Sequence, residues 1–256
     1  MATAGRGLRY DPDANCQNDS RYYHYWLADR GRQVGTRPPE LDFPGVMPAR
    51  QKRSRETTAA LLKAGAEMLR THSFVDLSIE ALCREVGATV GAFYSRFESK
   101  DAYFHVLIEL AARDGSRALA RVPSIGKLKD ADLARLCGAI AQGATGWMRD
   151  HEGVLRAALQ HKDTRPDKWT PFKRLARGAT ARATPLLLAA MGGGNKAAKT
   201  QAIAFGFQVM FGTLVNAILN DPGPVSIRDS EMESRLGACL YRLLQAEMTP
   251  QARSKT

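Results

Sequence analysis

Residues 78–104 read SIEALCREVGATVGAFYSRFESKDAYF, and hydrogen-bond donors recur through them at short spacing. Ser78, Thr89 and Ser95 bring hydroxyls, Tyr94 a phenol, and Arg96 and Lys100 a positive charge. These groups donate to oxyanions and to polar edges. The elements that must position them are short. Ser78 stands before Ile79, Leu82 and Val86, an apolar stripe at three-and-four spacing, which predicts a helix over about 78–86 capped by Ser78. Gly87 ends it, since glycine takes the left-handed conformation with no Cβ penalty. Thr89 offers the next cap, for a helix through Ala92, Phe93 and Tyr94, and Ser99 caps a third that carries Phe104, Leu107, Ile108 and Ala111.

Two short helices joined by a tight glycine-containing turn form the helix-turn-helix arrangement. Ile79, Leu82, Val86, Phe93 and Phe97 lock the pair, and the outer face keeps Thr89, Val90, Gly91, Tyr94, Ser95 and Arg96. Small residues there let the helix backbone enter a major groove, with hydroxyls and a cation for phosphates and base edges.

At these residues the chain resembles the tetracycline-repressor (TetR) family of transcriptional regulators. The matching residues are Ser78-Ile79, Leu82, Gly87-Ala88-Thr89, Gly91-Ala92-Phe93-Tyr94, Phe97 and Ser99-Lys100, within roughly residues 54–110. Ser73, Leu77 and Ala88 depart from the family pattern, and Leu77 removes one phosphate-contacting hydroxyl. The resemblance implies an all-α fold. An N-terminal three-helix DNA-binding domain with a helix-turn-helix over 50–110 is followed by a helical ligand-binding and dimerisation domain over 111–256. It implies that Thr89 caps the recognition helix and binds phosphate, that Val90 and Gly91 lie near bases, and that Tyr94 donates to a phosphate. Ser78, Ser95, Arg96 and Lys100 complete the expected contacts. Arg50, Lys52, Arg53 and Arg55 read as a minor-groove or phosphate arm, or as a solubilising run. Tyr94 could instead be a core aromatic, and Arg96 a solvated charge.

Composition sets the surroundings. The 256 residues carry 37 Lys and Arg against 26 Asp and Glu, a net charge of +11. Such a surplus attracts polyanions but says nothing about fold. It is placed unevenly: residues 1–46 hold six basic and six acidic residues, residues 47–110 nine and eight, and residues 111–256 hold 22 and 12. Cys16, Cys83, Cys137 and Cys239 are scattered with no CxxC, which excludes paired zinc spacing and fits a reducing cytosol. The polar N-terminus lacks the apolar core of a secretory signal. The longest apolar stretches, 185–191 and 202–219, are interrupted by polar residues and glycine, and read as buried helices rather than membrane spans.

Residues 1–49 form an extension whose first 46 residues hold four prolines, five glycines and no periodicity, which reads as disordered. It is a flexible tail, or lies upstream of a start at Met47, or docks through Tyr22, Tyr23, Tyr25 and Trp26. From Ser54, a candidate cap, the chain is helix after helix. The first runs to about Thr71 and buries Leu61, Leu62, Gly65, Met68 and Leu69. Later helices are expected over about 130–150, 151–161, 168–190, 196–219 and 229–246. The last two fit a four-helix dimer interface through Phe207, Phe211, Leu214, Leu236, Leu240 and Leu243, or the first of them is the centre of a monomeric bundle. Gly206 and Gly212 would permit close helix approach. Trp147, Met148, Leu155, Trp169 and Phe172 are either pocket lining or core. Eight cations between Arg156 and Arg182 face only Asp163 and Asp167, which signals an anionic effector or a solvated face.

No GxSxG, HExxH or phosphate loop occurs, and the histidines show no ligand-spaced pair, so no enzyme, metal or cofactor is expected. The expectation is a cytoplasmic dimeric repressor on a palindromic double-stranded operator, released by an unknown small-molecule effector and independent of membranes. The alternative is a TetR-like activator, or a helical protein-interaction module without an effector.

Overall fold

The structure, a computed structural model, describes residues 52–121, 132–161 and 166–248. The expected extension, Arg50 included, lies outside the described residues. So do the side chains of Lys52 and Arg53. Nine α-helices run through the described residues, with a 3-10 turn over Pro166–Trp169 and no strand among them. In chain order they are α1 (Lys52–Met68), α2 (Ile79–Glu85), α3 (Val90–Tyr94), α4 (Lys100–Arg121), α5 (Leu133–Asp150), α6 (Glu152–Gln160), α7 (Thr170–Met191), α8 (Lys196–Asn220) and α9 (Ser230–Ala246).

The caps explain most boundaries. Ser78 Oγ accepts from the Ala81 amide at 3.2 Å, and Thr89 Oγ1 from the Ala92 amide at 3.0 Å. Ser99 Oγ takes the Ala102 amide at 3.0 Å, and Asn195 Oδ1 those of Ala197 and Ala198 at 3.1 and 3.2 Å. Each satisfies an amide that the first turn leaves without an intrahelical partner. Helix α2 ends in a Schellman motif: Gly87, at φ +65°, donates to Arg84 and Ala88 donates to Cys83.

Ser54 does not cap α1. The helix starts two residues earlier, at Lys52, and the Ser54 carbonyl already accepts from Thr58 Oγ1 at 2.8 Å. The helix also stops at Met68, three residues short of the expected end.

Helices α1 to α4 enclose one core. Leu61, Leu69, Leu82, Phe93, Phe97 and Tyr103 are fully buried in it, and Met68 is only half-buried. The Tyr103 phenol donates to the Leu61 carbonyl at 2.8 Å and lies against Gly65, where a Cβ would sit 1.7 Å from its oxygen. Helix α4, about 33 Å long at 22 residues, begins in this core and continues alongside α7.

The remaining helices form a second bundle. Helix α9 lies along α5, and the pair touches at Gly237, whose Cβ would come 3.0 Å from the Gly138 Cα. Helix α8 packs on α7 and α9, and Gly206 lets it close on Leu240, 2.5 Å from where a Cβ would be. Gly212, the other glycine expected to allow close approach, faces open space. Among the described residues α8 alone is long and apolar enough to cross a membrane, with a mean hydropathy of 1.8, but its Ile203, Phe207, Met210 and Leu214 are buried in this bundle.

The two bundles meet where α6 begins. A Cβ on Gly153 would stand 2.5 Å from the Leu69 carbonyl and 2.6 Å from the Arg70 nitrogen. Backbone faces backbone, so nothing flexible can move aside. Gly153→Ala is expected to lower unfolding stability by about 1–3 kcal/mol in denaturant titrations, the range for overpacking. Gly143→Ala, into open space on exposed α5, should instead raise it by roughly 0.5–1 kcal/mol through helix propensity. Equal effects at both positions would contradict the close approach at α6.

Candidate nucleic-acid interface

Helix α3 has five residues and one buried anchor, Phe93. Its ring lies 5.1 Å from Phe97 and 5.2 Å from Tyr103. This fixes which residues of α3 turn outward. Thr89, Gly91, Tyr94 and Ser95 are exposed, Val90 is half-buried against the core, and Arg96 is half-buried beyond the helix end.

Tyr94 is 51% exposed, although it stands edge-on to Phe93 at 5.2 Å. A large aromatic ring left in water on a helix surface suits a partner surface. The Thr89 hydroxyl accepts from Ala92 and keeps its own proton to donate outward. Gly91 has no atom near its missing Cβ except Thr89 Oγ1 at 3.9 Å. The free fold therefore has room for a side chain there, and glycine costs helix propensity. Packing within the chain does not require a glycine there.

Ser95 Oγ donates to the Ala92 carbonyl at 3.0 Å, and three further expected contact residues are engaged within the protein. The Ser78 hydroxyl donates to Glu80 Oε2 at 2.7 Å besides capping α2. That bond, with the Glu80 amide and the Lys100 charge, holds the Glu80 carboxyl below its ordinary range against a small opposing desolvation.

Lys100 Nζ donates to the Val75 carbonyl at 3.0 Å and sits 4.8 Å over the Phe74 ring. Burial holds its ammonium below the usual lysine range, while the Asp76 and Glu80 carboxylates pull the other way. Lys100 thus ties the turn after α1 to the start of α4. Phe74 completes that tie by stacking on Phe104 at 4.3 Å.

Arg96 is the third. Its Nε donates to the Ser54 carbonyl at 3.4 Å and its Nη2 to Ser54 Oγ at 3.2 Å. Nη1 reaches back to the Ala92 carbonyl and to Ser95 Oγ. The guanidinium therefore staples the end of α3 to the first turn of α1, at the root of the basic segment. No spacing in the sequence reports a contact across 42 residues. A planar fork with five donors reaches both helices with fixed geometry, whereas an ammonium offers three donors around one atom.

The other expected sites fall differently. Trp147, Met148, Leu155, Trp169 and Phe172 lie together as core and partial core. The Phe172 ring stands 5.0 Å from Trp169 and 6.0 Å from Trp147, and Trp147 Nε1 donates to the Ala111 carbonyl at 3.2 Å. None of the five lines the large cleft between α4 and α7. That cleft, of about 1070 Å³, is lined by Arg113, Ser116, Leu175, Arg174, Arg182 and Pro185, among others.

Phe207, Leu214, Leu236 and Leu240 are buried within the chain's own bundle, where α8 packs on α7 and α9. Phe211 and Leu243 are half-buried, and the outward face of α8 carries Phe205, at 54% exposure, with Gln208 and Gly212.

Arg96→Met is expected to lower unfolding stability by roughly 1 kcal/mol, the net worth of a partly exposed hydrogen-bonded group. Arg96→Lys should not restore it. A fully stable Arg96→Met that loses one phosphate's worth of salt dependence in DNA binding would show Arg96 to be a contact residue instead.

Residues 61–107 match the family model for bacterial regulatory proteins of the tetR family. No curated protein matches the chain. Two solved structures share its fold. One, described as a TetR-family transcriptional regulator from Mesorhizobium loti, is 15% identical over 77% of this chain and 98% of its own, with a TM-score of 0.57. The other, a tetR-family transcriptional regulator from Streptomyces coelicolor, is 13% identical over 75% of this chain and 89% of its own, with a TM-score of 0.53. The family match falls on the helix-turn-helix built around Phe93, so residues 61–107 are similar to bacterial regulatory proteins of the tetR family in the stretch that carries the exposed face of α3.

Proposed function

We propose that the protein acts in the cytoplasm as a two-fold dimer on a palindromic stretch of double-stranded DNA, as a repressor released by a small effector. The observation that carries the reading is the outer face of α3. Thr89, Gly91, Tyr94 and Ser95 are all exposed on a helix pinned from behind by Phe93. Thr89 and Tyr94 are assigned to phosphates, and Gly91 and the outward edge of Val90 to base pairs. The basic segment from Arg50 to Arg55 lies in the adjoining minor groove, with its root held by Arg96. Ser78 and Lys100 act by holding α2 and α4, and Lys100 keeps two further protons for a phosphate beside α4.

Dimerisation is assigned to the outward faces of α8 and α9, with Phe205 and Gly212 at the centre and Phe211 and Leu243 at the rim. Two readers related by a two-fold axis need half-sites about 34–36 Å apart, or a multiple of that. The effector is assigned to the cleft between α4 and α7. Helix α4 runs from that cleft to Lys100 and Phe104 in the reader, so a ligand that displaces it changes reader separation.

The test uses a duplex enriched by the wild-type protein from a randomised palindromic library. Tyr94→Ala is expected to weaken binding about tenfold or more, the worth of a hydrogen bond to a charged group. Gly91→Leu should abolish specific binding while leaving the unfolding midpoint unchanged or raised by up to about 1 kcal/mol. Full affinity in either variant would refute the groove assignment. In sedimentation, Phe205→Glu should shift dimer to monomer, since a charge would be buried at the interface centre. A dimer indifferent to it would place the interface elsewhere.

A further inference from the structure

Glu152 opens α6 and is only 6% exposed. A carboxylate in such a place needs charged partners, and it has two from different parts of the chain. Oε1 accepts from Arg156 Nη1 at 2.9 Å. Arg228 Nε donates to Oε2 at 3.2 Å, and its Nη2 lies 3.2 Å from both oxygens.

Arg156 faces two ways. Its Nη2 donates to the carbonyls of Leu69 at 3.2 Å and Arg70 at 2.6 Å, just past the end of α1. Arg228 stands just before α9. There the Ile227 carbonyl accepts from Arg149 Nε at 3.0 Å, and Arg149 pairs with Glu233 in the first turn of α9, also at 3.0 Å. The carboxylate is thus the middle link of a chain from the DNA reader's first helix to the start of α9.

We infer that Glu152 and Arg156 form a coupling element by which the start of α9 sets the hold on α1. A carboxylate has about four lone-pair sites. With Arg228 in place, Glu152 takes one amino group of Arg156 and leaves the other on the α1 carbonyls. Without Arg228 the buried charge is undercompensated. Arg149 is held by Glu233 and Ile227 through Nη1 and Nε, whereas Arg156 already touches Oε1 and is the cation at hand. Turning its whole fork onto Glu152 takes Nη2 off Leu69 and Arg70, and the end of α1 loses its cap. The coupling is reciprocal, as any linkage of this kind must be. It makes Glu152 and Arg156 positioning residues for the reader, remote from any DNA atom. The consequence for DNA affinity rests on the dimeric DNA-binding reading, whereas the coupling itself does not.

Amide hydrogen exchange on the full chain without DNA tests the coupling. Arg228→Gln, at a side chain 62% exposed, should accelerate exchange at residues 69–74 by about fivefold or more, the lower end of coupling energies between sites. In the Glu152→Gln background the same substitution should add nothing there. Arg156→Gln should change exchange at residues 226–233. If Arg228→Gln alters only 226–233 and leaves 69–74 at the wild-type rate, the inference is wrong. Should Glu152→Gln fail to fold, the two arginine variants decide the matter alone.

On the duplex enriched by the wild type, Arg228→Gln should weaken affinity about fivefold with an unchanged salt slope. A reduced slope would make Arg228 a phosphate contact and overturn the positioning role. Failure to enrich any duplex would sink the DNA reading and leave the exchange result standing.

Discussion

A five-residue helix does not hold itself in water, so everything α3 presents outward depends on the burial of Phe93. That ring is held by Phe97 and Tyr103, and Tyr103 is held in turn by its bond to the Leu61 carbonyl beside Gly65. The recognition surface is therefore an indirect product of α1 and α4. Any side chain at position 65 meets Tyr103 before it meets α3. Gly65 and Gly91 stand in opposite surroundings. The first is required by a neighbour inside the fold, and the second has no such neighbour.

The joint between the two bundles is built from polar groups and backbone contact rather than from a broad apolar surface alone. The terminal carbonyls of α1 have no intrahelical amides to accept from, and Arg156 supplies donors from α6. Gly153 lets the two backbones touch. Phe74, Phe104, Lys100 and Lys168 form a second seam along α4, where Lys168 donates to the Asp101 carbonyl at 3.1 Å. A joint of this kind has discrete partners to exchange, and an exchange of partners is what a switch needs.

Local signals in the sequence survived into the structure wherever one turn of chain decides the outcome. The caps at Ser78, Thr89 and Ser99 and the left-handed Gly87 are of that sort, and all hold. The helix count after residue 130 and its breaks were equally legible from periodicity and turn residues. What failed needed knowledge of long-range neighbours. Ser54 reads as a cap but receives Arg96 from 42 residues away. Lys100 and Arg96 read as outward cations, yet they also meet the distant carbonyls of Val75 and Ser54, which no spacing announces. Helix α8 is apolar nearly all round, so the sequence alone could not tell which of its faces its own bundle would bury. Phe207 and Leu214 went inward and Phe205 stayed out.

The surplus of positive charge also takes on a different meaning. Helix α7 contains Lys173, Arg174, Arg177 and Arg182 and no acidic residue, and all four cations are exposed. The region 47–110 is nearly neutral by count, with two of its cations, Arg96 and Lys100, turned onto the chain's own carbonyls. Affinity for a phosphate backbone follows the number of phosphates actually met, and it falls off beyond about one Debye length, ~8 Å at physiological salt. The chain's net charge therefore measures long-range attraction, and that surplus is not concentrated in residues 47–110. Arg174 and Arg182 stand instead on one wall of the α4–α7 cleft, with Arg113 on the other. Their charge raises the potential inside that cleft from both walls.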